Sequence, residues 1–192
     1  WQGPCIIICL HRVLPDKQKA LDLSMQCNLS VSKSFFKELI ELLINRYRIV
    51  SIDELVSHLI RGSREQVVCL TFDDGYLDNL IHALPILEHF EIPATIYITT
   101  RFPEGDGTMW WYELSELVER KDSIEFEFEN NFYFWYCRNP SEKKLCYKNL
   151  CTLIMSLSSK KQEKFMKVMK KYGDPKSYSK LCLQWDDIKQ LD

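Results

Sequence analysis

The chain has 192 residues, 46% of them apolar and 27% charged, with a net charge of -2. That is the make-up of one ordinary globular domain with a sizeable core. The near-neutral balance argues against nucleic acid or an anionic membrane as partner, and no apolar run reaches the roughly 20 residues of a membrane span.

Eight cysteines are too sparse for a disulfide scaffold. No Cys-x-x-Cys pair occurs, and Cys5, Cys9, Cys69, Cys146 and Cys182 lie in apolar settings that suit small core residues. Reduced thiols lean toward a cytoplasmic location, with the cell envelope left open. Asn28-Leu29-Ser30 matches a glycosylation sequon, a match common by chance. No signal peptide is visible, but the chain starts at Trp1, so its natural start is open.

Strand and helix alternate through the first hundred residues. Cys5–Leu10 reads as a strand ending at His11. Ser34–Arg46 reads as an amphipathic helix with Phe35, Leu39, Leu42 and Leu43 on one face. Tyr47–Val50 is a short strand. Ser51 caps the next helix, which runs to about Ile60, and Glu54 completes a capping box. Val67–Phe72 is an apolar strand. Leu77–Phe90 is a helix with Leu80, Leu84, Leu87 and Ile81 as candidates for its inner face. Ala94–Ile98 is a strand opened by Pro93. Such alternation predicts a parallel sheet, open or closed into a barrel, with ligands gathered at the C-terminal strand ends. His11, Asp73, Asp74, Thr99 and Thr100 fall at those ends.

The rhythm changes after Arg101, and residues 102–183 read as an inserted helix and β-hairpin subdomain. Trp110–Glu119 looks helical. Ile124–Glu129 alternates strictly, Asn130-Asn131 can turn, and Phe132–Cys137 is aromatic, which is a hairpin signature. A two-residue turn there pairs Phe128 with Tyr133 and Phe126 with Trp135. Two helices follow, Glu142–Leu157 and Lys160–Tyr172, the second with Phe165, Val168, Met169 and Tyr172 inward.

The chemistry concentrates in Thr71-Phe72-Asp73-Asp74-Gly75. Side chains alternate along a strand, so adjacent aspartates share a site only where the chain turns, and Gly75 permits that turn. Carboxylates at the end of a buried strand need a partner or a metal. One can hold a metal while its neighbour takes a proton from water. A surface Asp-Asp-Gly turn is the plainer alternative, which the buried strand before it disfavours. His11 either points at the same mouth or is bonded for structural reasons. Arg12 reads as a cap of that loop. His58, His82 and His89 are poor candidates, the last two on a solvated helix face. The lysines between Lys143 and Lys171 read as solvated faces. Most of the aromatic rings near Trp110-Trp111 and in the hairpin read as subdomain core.

Thr71-Phe72-Asp73-Asp74-Gly75 resembles the first motif of the polysaccharide deacetylases, carbohydrate esterase family 4. Leu10-His11-Arg12-Val13, the stretch from Phe35 to Leu55, Pro93-Ala94-Thr95, Trp110-Trp111 and Leu183–Ile188 resemble its neighbours in one branch of that family. The resemblance implies a deformed (β/α) barrel, a divalent metal that is usually zinc, and hydrolysis of acetyl groups from N- or O-acetylated sugars. It implies Asp73 as general base and Asp74 as a metal ligand; His11 stands as a candidate neighbour of the site by its strand-end position alone, and the substrate-binding residues are unassigned. The family's other two ligands, in a His-x-x-x-His motif, have no counterpart in the sequence. The expectation is therefore the N-terminal two-thirds of one deacetylase-like domain, residues 1–192, with its remaining ligands beyond Asp192. Such a piece should bind zinc poorly and hydrolyse nothing measurable by itself. The competing reading is a non-catalytic carbohydrate-binding relative that keeps the fold. Phosphoryl transfer on a strand-end aspartate ranks below both. The sugar, its linkage and the oligomeric state are not encoded in any motif.

Overall fold

The computed structural model describes residues 3–21, 29–172 and 178–191. Asn28 of the sequon lies outside them. The chain divides into two compact units, Trp1–Gly107 with Ser179–Asp192, and Thr108–Tyr178.

The first unit is an open, mixed α/β assembly consistent with a distorted (β/α) barrel. Its centre is β5 (Val67–Phe72), all six of whose residues are buried. β1 (Cys5–Leu10) runs parallel along one edge, in register from Cys5↔Val67 to Leu10↔Phe72. The other edge is shared. β4 (Arg48–Ile49) pairs with Val67 and Val68, and β6 (Thr95–Ile96) pairs with Thr71 and Phe72. The ladder runs past its strands, because Asp73 N–H donates to Leu10 O at 2.9 Å and Tyr97 N–H to Phe72 O at 2.7 Å. The expected strand over Ala94–Ile98 thus pairs regularly only at its centre. A second, two-stranded parallel ribbon joins β2 (Arg12–Leu14) to β3 (Ser30–Ser32); its three-residue strands carry too little pattern to be read from sequence. A short helix, α1 (Asp16–Leu21), lies between them in the chain.

Alternation gives the sheet two unlike faces. Val68, Leu70 and Phe72 form one core with Phe36, Ile40 and Leu43 of α2 (Lys33–Ile44) and with Ala83, Ile86 and Leu87. The other face joins Val67 and Cys69 to Val50 and to Leu55 of α3 (Ile52–Ile60). Toward the strand ends this second face opens, and Ile7 is 51% exposed.

Two helices turn differently from their sequence expectation. In α2 the buried residues are Phe36, Ile40 and Leu43, while Phe35 and Leu42 are about half exposed. Both stripes are apolar at helical spacing, and the sheet selects one: the Phe36 ring meets Phe72 edge-on at 5.8 Å. The segment before α4 (Leu84–His89) is a π-helical turn, Asn79–Ala83. The extra residue in that turn shifts the phase, so Asn79, Ala83, Ile86 and Leu87 are buried and Ile81 is 52% exposed. Ser51 does cap α3, its hydroxyl accepting from Glu54 N–H at 3.1 Å. The Glu54 carboxylate, however, accepts from Arg48.

The second unit holds α5 (Trp110–Arg120), the antiparallel hairpin β7 (Ser123–Phe128) and β8 (Asn131–Tyr136), α6 (Pro140–Met155) and α7 (Ser159–Met169). Its hairpin pairs Phe126 with Tyr133 and Ile124 with Trp135, two positions from the expected register. The turn residues are Glu129 and Asn130, both at positive φ (49° and 64°), rather than Asn130 and Asn131. A two-position slip preserves the faces, so Ile124, Phe126 and Phe128 stay buried. Phe165 of α7 closes this core, with ring centroids 5.6 Å from Phe126 and 5.4 Å from Phe128. Met166 and Met169 are buried with it, while Tyr172 is 39% exposed. The outer face of β8 leaves Phe132, Phe134 and Tyr136 exposed, more rings than the sequence suggested.

Candidate metal and catalytic site

β5 delivers Asp73 to the open mouth of the sheet. The chain then turns sharply, with Asp74 at φ 68° and Gly75 at φ 64°. Aspartate tolerates this left-handed conformation better than most residues, and glycine adopts it freely. A Cβ on Gly75 would also meet Ile98 Cδ1 at 2.8 Å. The turn is what allows neighbouring carboxylates to serve one site. A strap holds it in place: Leu183 N–H donates to Gly75 O at 2.8 Å, and the Cys182 thiol contacts Asp74 O at 3.6 Å.

A buried ion pair fixes the strand opposite. Asp78 accepts from Arg12 Nε at 2.8 Å and from Val13 N–H at 2.9 Å. The Arg12 guanidinium lies 5.0 Å from the centre of the Tyr76 ring. Arg12 is 9% exposed and Asp78 7%, so Arg12 is no loop cap. It ties the residues after His11 to those after Gly75.

Between these anchors, one atom each of Cys9, His11 and Asp73 lie within 4.8 Å of one another. The Cys9 thiol donates to Asp73 Oδ2 at 3.2 Å. Burial, followed by this bond to Asp73, raises the thiol's pKa. Burial also raises the Asp74 carboxyl, with Asp73 adding to the rise while His11 and a bond from Thr99 oppose it. One thiol, one imidazole and one carboxylate converging on an open mouth form a donor set that suits a divalent cation.

The sequence reading brought Asp73, Asp74 and His11 to the strand ends, and Asp73 and His11 do converge. Asp74 is beside them but outside the three-residue group. Cys9, expected in the core, is exposed and belongs to that group. Its signal was parity, since it lies two residues before His11 on an alternating strand. His58 is buried, its Nε2–H donating to Glu65 O at 2.7 Å, and His89 is exposed. Neither belongs to the mouth.

Residues 61–127, which contain the Asp73-Asp74 turn, match the family model described as polysaccharide deacetylase. The match to the polysaccharide deacetylase family covers that segment of the chain. No curated protein matches it. Among solved structures, the chain is similar to IcaB from Ammonifex degensii (26% identity, 62% of this chain and 50% of that one, TM-score 0.43). It is also similar to the Streptococcus pyogenes deacetylase PplD in complex with acetate (27% identity, 53% and 44% covered, TM-score 0.41). A third likeness is to a de-N-acetylase from Aggregatibacter actinomycetemcomitans (18% identity, 70% and 45% covered, TM-score 0.40). The chain spans about half the length of each.

Proposed function

We propose that this chain carries the strand-end carboxylates of a metal-dependent deacetylase that hydrolyses acetyl groups from N- or O-acetylated sugars. The observation that carries the reading is the convergence of Cys9, His11 and Asp73 at the end of the family motif's own strand. A divalent cation such as zinc, when bound there, would polarise the acetyl carbonyl and lower the pKa of a water from 15.7 to about 7.

The residues of the chain do the rest. In the division of labour that the motif implies, Asp73 orients the attacking water and accepts its proton, and Asp74 binds the cation. One observation favours the reverse assignment: Asp73 is in the three-donor group and Asp74 is not. Asp73 then binds the cation and Asp74 accepts the proton. In both assignments the turn at Asp74-Gly75 sets the distance between ligand and base, and the Arg12–Asp78 pair holds His11 beside them.

Metal content and acetate release separate the two assignments in the intact protein. The variant that removes the base should keep its metal and lose about 10²–10⁴ in rate. The variant that removes the ligand should lose both. Asp73→Asn with metal retained supports the motif's assignment, and Asp74→Asn with metal retained supports the reverse. Wild-type acetate release from both variants would sink the proposal.

A further inference from the structure

The hairpin of the second unit has a face that the reaction does not use. Strand alternation puts Phe132, Phe134 and Tyr136 of β8 on the side away from the buried core of that unit, and all three rings are exposed. The register sets a carboxylate beside two of them, with Glu127 opposite Phe132 and Glu125 opposite Phe134. Directly opposed side chains have Cβ atoms about 4.5–5.5 Å apart. A ring face and a carboxylate both present negative charge, so a cation lying over the two is attracted by each. The chain builds that arrangement once from its own residues. The Arg138 guanidinium lies 3.8 Å from the centre of the Tyr136 ring while donating to Glu142 Oε1 at 2.9 Å. At the turn, Glu129 meets Lys161. Between these two places, among the described residues, Glu125 and Glu127 have no ion-pair partner. Protection of an exposed edge would be met by lysine at least as well as by glutamate, and it gives no reason for a row of exposed rings beside the acids.

We propose that this face binds an amine-bearing glycan, the partly de-N-acetylated chain that the reaction leaves. Its ammonium groups lie over the Phe132–Glu127 and Phe134–Glu125 pairs, and its sugar rings rest against the phenyl groups. The inference rests on the deacetylase reading, and it chooses within that reading. Hydrolysis of an N-acetyl group breaks the amide C–N bond and sends the water oxygen to acetate. The amine that is left takes a proton from solvent and becomes a cation. Hydrolysis of an O-acetyl group leaves a neutral hydroxyl. Only the first product carries the charge that the two pairs complement, so the face points to N-acetylated sugars as the substrate. Two residues along a strand advance about 6.5–7 Å, which lets both pairs engage one glycan chain, and two weak contacts on one chain reinforce each other. For folding, solvent alone satisfies Glu125 and Glu127, so their use shows in binding and leaves stability untouched.

Titration calorimetry on the intact protein tests this without turnover, using a glucosamine oligomer, a glucose oligomer of the same length and linkage, and a lysine oligomer. The glucosamine oligomer should bind more tightly than the other two, and less tightly as salt rises. Glu125→Gln and Glu127→Gln together should weaken it roughly 2–30-fold. Phe134→Leu, which keeps an apolar side chain and loses the ring, should weaken it about 2–5-fold. All three positions are exposed, so the unfolding midpoint and acetate release from a short substrate should stay at their wild-type values. Equal binding of the glucose oligomer, tighter binding of the lysine oligomer, or glucosamine binding unchanged in either variant overturns the proposal. So does a wild-type dimer that Phe134→Leu dissociates, which would make the face a contact between copies of the chain. Acetate release by a protein that does not bind the glucosamine oligomer would refute the glycan face and leave the deacetylase reading standing. Binding that the variants weaken, without acetate release, would do the opposite.

Discussion

Carboxylates are placed in opposite ways in the two units. On the hairpin of the second unit, Glu125, Glu127 and Glu129 alternate with buried Ile124, Phe126 and Phe128 and face outward. Glu129 accepts a hydrogen bond from Lys161 at 2.7 Å, and both side chains are 40–49% exposed. In the first unit, Asp73, Asp74 and Asp78 follow one buried strand within six residues, and Asp78 is 7% exposed. Burial raises the carboxyls of Asp74 and Asp78. The hairpin acids cost little and keep one face solvated. The strand-end acids carry a desolvation cost that only a cation, an arginine or a reaction can offset. Acidic residues at strand ends therefore need a partner, where acidic residues on an alternating strand need only solvent.

The largest expected effect falls on the buried pair. Asp78→Ala strips the Arg12 guanidinium of this partner and should cost about 3–5 kcal/mol, measured by urea unfolding. A loss below about 1 kcal/mol would mean the pair is no more than a surface contact. Gly75→Ala comes next. It introduces strain at φ 64° and a clash with Ile98, and should cost at least the roughly 1 kcal/mol of a left-handed alanine, with acetate release falling as well.

Acid titration should expose the contrast by sign. Burial lifts Asp78 above its usual 3.8, more than Arg12 lowers it. Such a group contributes stability that is fully present below the unfolded value and lost as pH rises through the raised folded one. Arg138 instead lowers Glu142 below its usual 4.5. That contribution is present above the unfolded value and lost as pH falls through the folded one. On acidification, the stability gap between wild type and Asp78→Asn should widen, and the gap to Glu142→Gln should narrow. Gaps moving in the same direction would remove the distinction. The smallest effect is expected from Glu129→Ala, within about 0.5 kcal/mol; a loss of 2 kcal/mol or more would show that the hairpin acids are structural after all.

The parallel sheet was legible because β5 is a continuous apolar run with buried residues on both faces, and the acids mark its end. The turn was legible from Gly75. What escaped the sequence was decided by tertiary contact. Phe35 and Phe36 both begin apolar stripes, and only the sheet face chooses Phe36. The π-helical turn at Asn79–Ala83 has no periodic signature, so Ile81 fell on the wrong side. The hairpin register hung on which two residues take positive φ, and Glu129 is an uncommon choice for that role. Cys9 was hidden by its apolar neighbours, since Cys5-Ile6-Ile7-Ile8-Cys9-Leu10 reads as core throughout. Only pairing with β5 reveals that its face opens at the end. The Arg12–Asp78 pair spans 66 residues, beyond any local pattern.

The central claim is that the carboxylates closing β5 act in metal-dependent deacetylation. The most direct test is acetate release from N-acetylglucosamine oligomers by the intact protein, before chelation, after chelation, and after zinc is restored. The account predicts release that chelation abolishes and zinc restores. Release that continues undiminished in chelator, or no release once zinc is restored, would contradict it.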